Sequence, residues 1–439
     1  MQKISKEVGK TMIEVRILRE NRQLAVEGLL KRGLKSADQT IQKILDLDDQ
    51  RKQLQTQMDE LLRRVNETSD EIGALYKQGR GAEAGEAKKM VGEWKAEIAG
   101  FQTTMNETQS LLETTLLSLP NIPHASVPAG QNEADNEIIE VHDDYMVALP
   151  EGSKPHWELM EEYDLVDLAL GAKITGSGFP VYKGQGARFQ RALIQFFLDE
   201  AVAAGCLEII PPFVVNADSA RGTGQLPDKD GQMYYTERDD LYLIPTSEVP
   251  LTNMFRGDIL DAADLPRRLT AYSPCFRREA GSYGADVKGL NRLHQFDKVE
   301  MVVISLPENS YDVLDWMVNH TKTLLQKLEL PFRILRLCGG DLGFTSALTY
   351  DFEVFSVAQK RWLEVSSVSN FETYQSNRLK LRYRNSEGRT QLLHTLNGSV
   401  LALPRIVAAL LEINQKEDRI DIPEVIKPYT GFECIEKVD

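Results

Sequence analysis

The sequence predicts an α+β protein: a mostly antiparallel sheet flanked by helices, preceded by an N-terminal antiparallel α-helical coiled-coil arm. Two observations predict it. From about Ser36 to Leu119 the chain is rich in Gln, Glu, Lys, Leu and Ala, has no proline until Pro120, and carries apolar residues on a heptad seam. After residue 136 apolar residues alternate along short runs separated by turns. Strands joined by turns pair antiparallel, because a parallel pair needs a helical crossover. That pattern argues against a Rossmann sheet.

Met12 to Lys35 reads as a small helical base, with Ile13, Val15, Ile17 and Leu18 apolar and Gly33 as its stop. The first arm helix presents Ile44, Leu47, Leu54, Met58, Leu61, Val65, Ile72 and Leu75, interrupted at Arg51 and Thr68. The second presents Val91, Trp94, Ile98, Phe101, Met105, Leu112 and Leu119, interrupted at Thr108 and Thr115. Gln78-Gly79-Arg80-Gly81 breaks the pattern between them, so the helices fold back as a hairpin. Helices of about 40 residues span ~60 Å, more than a domain core needs, so much of the hairpin is expected to project into solvent. Pro120, Pro123, Pro128 and Gly130, followed by a polar run to Asn136, mark a linker. The expected division is a helical base and arm at 1–119, a linker at 120–136 and a catalytic domain at 137–439. In that domain the run from Tyr350 to Val354 passes through Ala358-Gln359-Lys360-Arg361 into a second strand from Trp362, and helices are expected at 188–204, 310–329 and 401–414.

The formal net charge of −15 counts against a general affinity for nucleic acid. Any RNA contact must come from local patches, such as Arg51, Lys52, Arg63, Arg64, Lys77, Arg80, Lys88, Lys89 and Lys95 on the arm. Charges on a coiled coil are more often simply its solvated face. No apolar run approaches the ~20 residues of a membrane helix, and the charged N-terminus lacks the apolar core of an export signal. Cys206, Cys275, Cys338 and Cys434 are scattered without metal-ligand spacing, as expected of reduced packing cysteines in the cytoplasm.

Chemistry concentrates after residue 240. Cys275-Phe276-Arg277-Arg278-Glu279 leads through a glycine-containing loop to His294-Gln295-Phe296-Asp297-Lys298-Val299-Glu300, and Thr395-Leu396-Asn397-Gly398-Ser399 runs on to Pro404-Arg405. A guanidinium donates two parallel hydrogen bonds and keeps its charge, so Arg277 and Arg405 converging from distant segments suit a triphosphate. No G-x-x-x-x-G-K-[ST] occurs, which excludes a P-loop by pattern, and neither H-x-G-H nor K-M-S-K-S is present. Pro404 is tolerated just inside a helix start, where Arg405 and the helix N-terminus both favour an anion. Glu364-Val365-Ser366-Ser367 offers a carboxylate near a hydroxyl, a weak metal signature by itself. Thr246-Ser247-Glu248 supplies polar groups for an ammonium and a hydroxyl, and by itself leaves a threonine-sized or diol substrate equally open.

These segments resemble motifs 2 and 3 of class II aminoacyl-tRNA synthetases, and in detail the seryl-tRNA synthetases, over nearly the whole chain. Ile209 to Val215, with Pro212, is similar to motif 1, and Gly222-Thr223-Gly224-Gln225-Leu226-Pro227 to the family's segment after it. The resemblance implies that Arg277 binds the α-phosphate of ATP, Glu279 accepts from the adenine amino group and Phe296 stacks on adenine. Arg292 and Arg405 would reach the γ-phosphate, with Arg278, Val365 and Ser366 completing the nucleotide site. Glu364 and Ser367 would hold Mg2+, an oxygen-loving ion, at the phosphates. The implied serine pocket is Thr246, Ser247, Glu248, Arg277, Glu300, Asn397 and Ser399. Arg278, Lys288, Ser247 and Val368 stand where the family more often has Ser, Arg, Ala and Cys. His294 reads as a packing or hydrogen-bonding residue.

The implied function is a serine–tRNA ligase: ATP and L-serine give seryl-adenylate and pyrophosphate, and the seryl group passes to tRNA(Ser), with tRNA(Sec) as a second RNA. The implied assembly is a homodimer through motif 1. The alternative is a class II-like ligase charging a carrier protein, which has no need of a long arm. A coiled-coil interaction protein with a decayed domain fails, because the ATP and serine residues are all in place.

Overall fold

The computed structural model describes residues 13–147, 152–228, 231–279 and 288–437; Met12 and residues 280–287 of the loop after Glu279 lie outside them. The chain divides into two compact units, Met1–Leu30 with Leu34–Pro120, and Lys31–Gly33 with Asn121–Asp439.

The first unit is helical. Helices α1 (Val15–Glu20) and α2 (Arg22–Lys31) precede α3 (Ala37–Lys77) and α4 (Gly81–Ser118), two long helices packed along each other. Gly79 makes the turn between them with φ +75°, a conformation that glycine adopts without strain. Along α3 the expected seam residues from Ile44 to Val65 are buried, whereas Ile72 and Leu75, nearer the turn, are half-buried. On α4 the seam differs from expectation in one respect. Leu116 is fully buried where the heptad has the half-buried Thr115, a shift of one residue near the end of the helix, while Thr108 keeps its heptad position and is buried. Asp48 on α3 is also buried, held by ion pairs from Arg19, Arg51 and Lys52.

The second unit is built on an eight-stranded sheet: β1 (Glu137–His142), β2 (Leu207–Glu208), β3 (Arg267–Phe276), β4 (Gln295–Ser305), β5 (Phe332–Arg336), β6 (Leu348–Ser356), β7 (Arg361–Asn370) and β8 (His394–Ala402). Their order across the sheet is β1-β5-β6-β7-β8-β4-β3-β2, and every pair is antiparallel except the short β2–β3 contact. The helices used below are α5 (His156–Glu162), α6 (Gly184–Ala203), α7 (Glu248–Asn253), α8 (Ser310–Lys327), α9 (Tyr374–Leu379) and α10 (Leu403–Asn414). Residues 121–136 belong to this unit, with the Asn121 N–H donating to the Phe344 carbonyl and Val127 inside the core.

Alternation along β4 places the site. Val299, Met301 and Val303 enter the main core with Phe189, Leu193 and Phe197 of α6, while Val302 and Ile304 on the other face join a smaller core with Leu251 and Leu379. Phe296, Lys298 and Glu300 share that second face but face a cleft. Burying the odd-numbered residues is what commits the even-numbered ones to the cleft, since a one-residue slip would invert both sets.

Candidate active site

One cleft of about 570 Å³ gathers the ends of these strands. Its lining includes Thr246, Glu248, Arg277, Glu279, Arg292, Phe296, Glu300, Glu364, Val365, Ser366, Ser367, Asn397, Ser399 and Arg405, which lie up to 159 positions apart (246 to 405) in sequence. Of the residues expected at the site, the side chains of Ser247 and Arg278 turn elsewhere. The fully buried Ser247 hydroxyl donates to the Ala271 carbonyl at 3.5 Å. Arg278 Nε donates to the Met233 carbonyl at 3.0 Å, and its guanidinium lies 4.5 Å from the Tyr234 ring centroid.

The end of the cleft beside Arg277 and Phe296 follows from backbone anchoring. Arg277 N–H donates to the His294 carbonyl at 2.9 Å and Arg278 N–H to the Gln232 carbonyl at 3.0 Å, which fixes the chain where β3 ends. The Arg277 guanidinium sits 5.2 Å from the Phe296 ring centroid, so cation and ring together bound one side of the space. Glu279 has φ +49°, a left-handed conformation costing a residue with a side chain on the order of 1–2 kcal/mol, and its carboxylate accepts from Arg292 at 2.9 Å. His294 is structural. Its Nδ1 meets the Tyr234 hydroxyl at 2.7 Å and its ring stacks on Phe179.

Arg405 is in the first turn of α10, after Pro404. Its Nε donates to the Asn291 carbonyl at 3.1 Å and its Nη1 to the Glu364 carbonyl at 2.5 Å, so the segment before β4 and strand β7 together hold the guanidinium at the cleft. The α10 N-terminus carries no acidic residue in its first turn and adds partial positive charge beside it.

Glu364 and Ser367 are on β7. Opposite Ser367, on β6, stands Asp351, and one of its carboxylate oxygens is buried without a hydrogen-bond partner. Burial first, then the charge of Glu364, hold the Asp351 carboxyl well above the usual carboxylate range, against a hydrogen bond with Ser367. Oxygen donors with an orphaned buried acceptor beside them fit a hard, hydrated cation. Among the described residues no group of three or more His, Cys, Asp and Glu is arranged to hold a metal, and the oxygen groups that β7 offers at the cleft are the Glu364 carboxylate and the Ser367 hydroxyl.

The opposite end of the cleft is buried and polar. Glu300 and Ser399 are cross-strand partners on β4 and β8, and the Ser399 hydroxyl lies 3.5 Å from Glu300 Oε2. Lys298, two residues before Glu300 and nearly as buried, forms an ion pair with it. The buried Glu248, at the start of α7, accepts from Gln375 Nε2 at 2.7 Å. Burial pushes the Glu248 carboxyl up to about 7, the Gln375 hydrogen bond opposing and the nearby Glu300 adding to the rise. Lys298, Gln225, Asn291 and Gln375 were not singled out from sequence. Lys298 was within reach, because its period-2 spacing from Phe296 and Glu300 places it on the same face.

Comparison with known proteins places the fold in a family. Residues 233–414 match the tRNA synthetase class II core domain (G, H, P, S and T), and residues 12–123 match the seryl-tRNA synthetase N-terminal domain. A serine–tRNA ligase of Salinibacter ruber is 51% identical over 96% of this chain and 98% of its own, and one of Methylacidiphilum infernorum is 46% identical over 95% and 99%. The crystal structure of seryl-tRNA synthetase from Pyrococcus horikoshii complexed with ATP superposes with a TM-score of 0.86 at 34% identity, covering 98% of this chain and 100% of that one. A Naegleria fowleri cytoplasmic serine–tRNA ligase in complex with AMP shares the fold at the same TM-score. With about half of its residues identical to a relative matched along nearly the full length of both, this chain belongs to the seryl-tRNA synthetase family.

Proposed function

We propose that the cleft activates L-serine with ATP to seryl-adenylate and pyrophosphate, and that the seryl group then passes to the 3′ end of tRNA(Ser), with tRNA(Sec) as a further acceptor. The observation that carries the reading is the convergence of two fixed guanidiniums, Arg277 and Arg405, on a cleft whose other end is a buried carboxylate and hydroxyl network. ATP enters with adenine against Phe296 and near Glu279, and its phosphates meet Arg277, Arg292 and Arg405. Binding the nucleotide replaces part of the Glu279–Arg292 ion pair. Val365 and Ser366 form the floor on β7, while Arg278 acts at a distance by fixing the backbone of Arg277.

Serine's ammonium is attracted to Glu248 and Glu300, and its hydroxyl pairs with the polar groups of Thr246, Ser399 and Asn397. Ser247 supports the loop from behind. Serine's carboxylate attacks the α-phosphorus, pyrophosphate leaves, and the charge that develops on the phosphoryl oxygens is met by prepositioned cations rather than by covalent help from the protein. Mg2+ would be held by Glu364 and Ser367. When bound it supplies charge neutralisation at the phosphates. A homodimer through Ile209 to Val215, a cytoplasmic location and an RNA-binding role for the arm complete the proposal; no helix among the described residues is long and apolar enough to cross a membrane.

ATP–pyrophosphate exchange measured with each of the twenty amino acids tests the reading. Exchange is expected with serine and with no other amino acid at a comparable kcat/KM; equal rates with a non-hydroxyl amino acid would overturn it.

A further inference from the structure

The carboxylate at the amino-acid end of the cleft is held from behind by a glutamine. Gln375, on α9, is buried at 1% exposure and contacts three separate segments. Its Nε2 donates to Glu248 Oε1 at 2.7 Å and to the Thr223 carbonyl at 3.2 Å, and its Oε1 accepts from the Thr395 hydroxyl at 2.7 Å. The amide orientation is settled by these neighbours. A backbone carbonyl and a carboxylate oxygen need donors, so the nitrogen faces them, and the oxygen is left for the one hydroxyl. Both N–H donors of the amide are thereby used and its oxygen is engaged, on a side chain removed from solvent, where each such bond is electrostatically strong.

We infer that Gln375, locked by Thr395, is a positioning residue for the amino-acid substrate: it engages Glu248 Oε1 and so presents the other carboxylate oxygen to serine. This rests on the reading of the cleft as a serine site. Thr395 stands two and four residues before Asn397 and Ser399 on β8, so the strand that lines the pocket also carries the lock. Thr223 lies in the glycine-rich segment at the end of the helix Ala217–Thr223, so the same amide ties that segment to Glu248. The charged groups that act on Glu248 besides Gln375 are Glu300, Lys298 and Arg277, which Gln375 substitutions leave in place. The hydrogen bond favours the ionised form of Glu248, so losing it moves the titration of the carboxyl to higher pH.

The test is Gln375→Met, of similar volume but without donor or acceptor, assayed by serine-dependent ATP–pyrophosphate exchange across pH. A hydrogen bond to a charged group of this kind predicts a rise in serine KM of about tenfold or more. ATP KM and kcat stay within about twofold, because the phosphate-binding arginines are not touched. The rising limb of kcat/KM for serine moves to higher pH. Thr395→Val frees the amide to turn and gives a smaller change of the same sign, which Thr395→Ser reverses; this pair decides the matter if Gln375→Met is too unstable to assay. Unchanged serine KM and pH profile in the variants overturn the inference, as do equal rises in serine and ATP KM, which mark a merely structural role. Wild-type protein that fails to exchange with serine would instead remove the reading of the cleft itself.

Discussion

The His156 ring and the Glu412 carboxylate, both without solvent exposure, meet with Nδ1 2.8 Å from Oε1 and join α5 to the helix that carries Arg405. The Leu290 N–H donates to His156 Nε2 at 3.1 Å, so Nε2 is the unprotonated nitrogen and Nδ1 carries the hydrogen given to Glu412. The Ser356 hydroxyl donates to the other Glu412 oxygen at 2.6 Å. Gly289, with φ +62°, passes so close that an added Cβ would lie 2.2 Å from His156 Nε2. The return of the loop toward Arg292 is thus anchored on the same histidine.

His156→Leu should lower the unfolding free energy by about 3 kcal/mol, because a buried carboxylate loses its strongest donor. Denaturant titration of that variant and of His156→Leu with Glu412→Leu checks it, the double variant recovering more than half of the loss. The pH dependence has a definite sign. Burial would raise the Glu412 carboxyl, but the hydrogen bonds from His156 and Ser356 outweigh it and the net shift is downward. Its stabilising contribution is therefore full above the unfolded-state value and lost as pH falls through the folded one. In His156→Leu this acid-side loss should shrink.

Arg277→Ala and Arg405→Ala should each slow ATP–pyrophosphate exchange by roughly 10²–10³-fold, the loss expected for one prepositioned charge contact worth ~3–4 kcal/mol. Melting temperatures should stay near wild type. Exchange within threefold of wild type in a normally melting variant would contradict the assignment of phosphate binding to these side chains.

Serine capture should depend on the ionisation of Glu248. With the carboxyl pushed up to about 7 by burial, the free protein holds it protonated at lower pH and charged at higher pH. An ammonium is attracted only by the charged form, so kcat/KM for serine should rise with pH through about 7. A steady pH–rate profile from 6 to 8 would be inconsistent with that role, and Glu248→Gln should flatten the limb and raise serine KM.

How much of this was legible in the sequence depends on how far apart the partners lie. The arm reads directly, because seam residues repeat within one helix, and the burial of Leu116 in place of Thr115 escaped. The arginines and Glu300 read from compact motifs, and alternation along β4 assigns their face. Gln375 and Glu248 are 127 positions apart, and His156 and Glu412 are 256 apart. Neither pair leaves a local period or spacing to find. Ser247 and Arg278 show the opposite case: the resemblance implied contact for whole motif segments, but a strand or turn sends neighbouring side chains to different sides.

The surface around Ile209 to Val215 should join two copies of the chain. Ile210 is 85% exposed, and Phe213 and Val214 are 37% and 43% exposed, an apolar cluster that a twofold partner would cover with the same residues. Light scattering should give a dimer mass at micromolar concentration and a monomer mass for Ile210→Asp with Phe213→Asp. A wild-type monomer would refute the interface.

Aminoacylation and pyrophosphate exchange, measured on the same preparations of full-length and arm-shortened protein, test the ligase assignment most directly. Replacing residues 53–107 by a short linker keeps Ile41, Ile44, Leu112 and Leu116 as the buried base of the helix pair. The groups assigned to ATP and serine all follow residue 245, so serine-dependent exchange should remain near wild type. Charging of tRNA(Ser) should fall by orders of magnitude if the arm, as proposed, supplies the phosphate contacts of an acidic chain of net charge −15, and the steep salt dependence of RNA binding should flatten. If shortening the arm leaves both reactions intact, the arm does not bind RNA and a carrier-charging ligase becomes the better account.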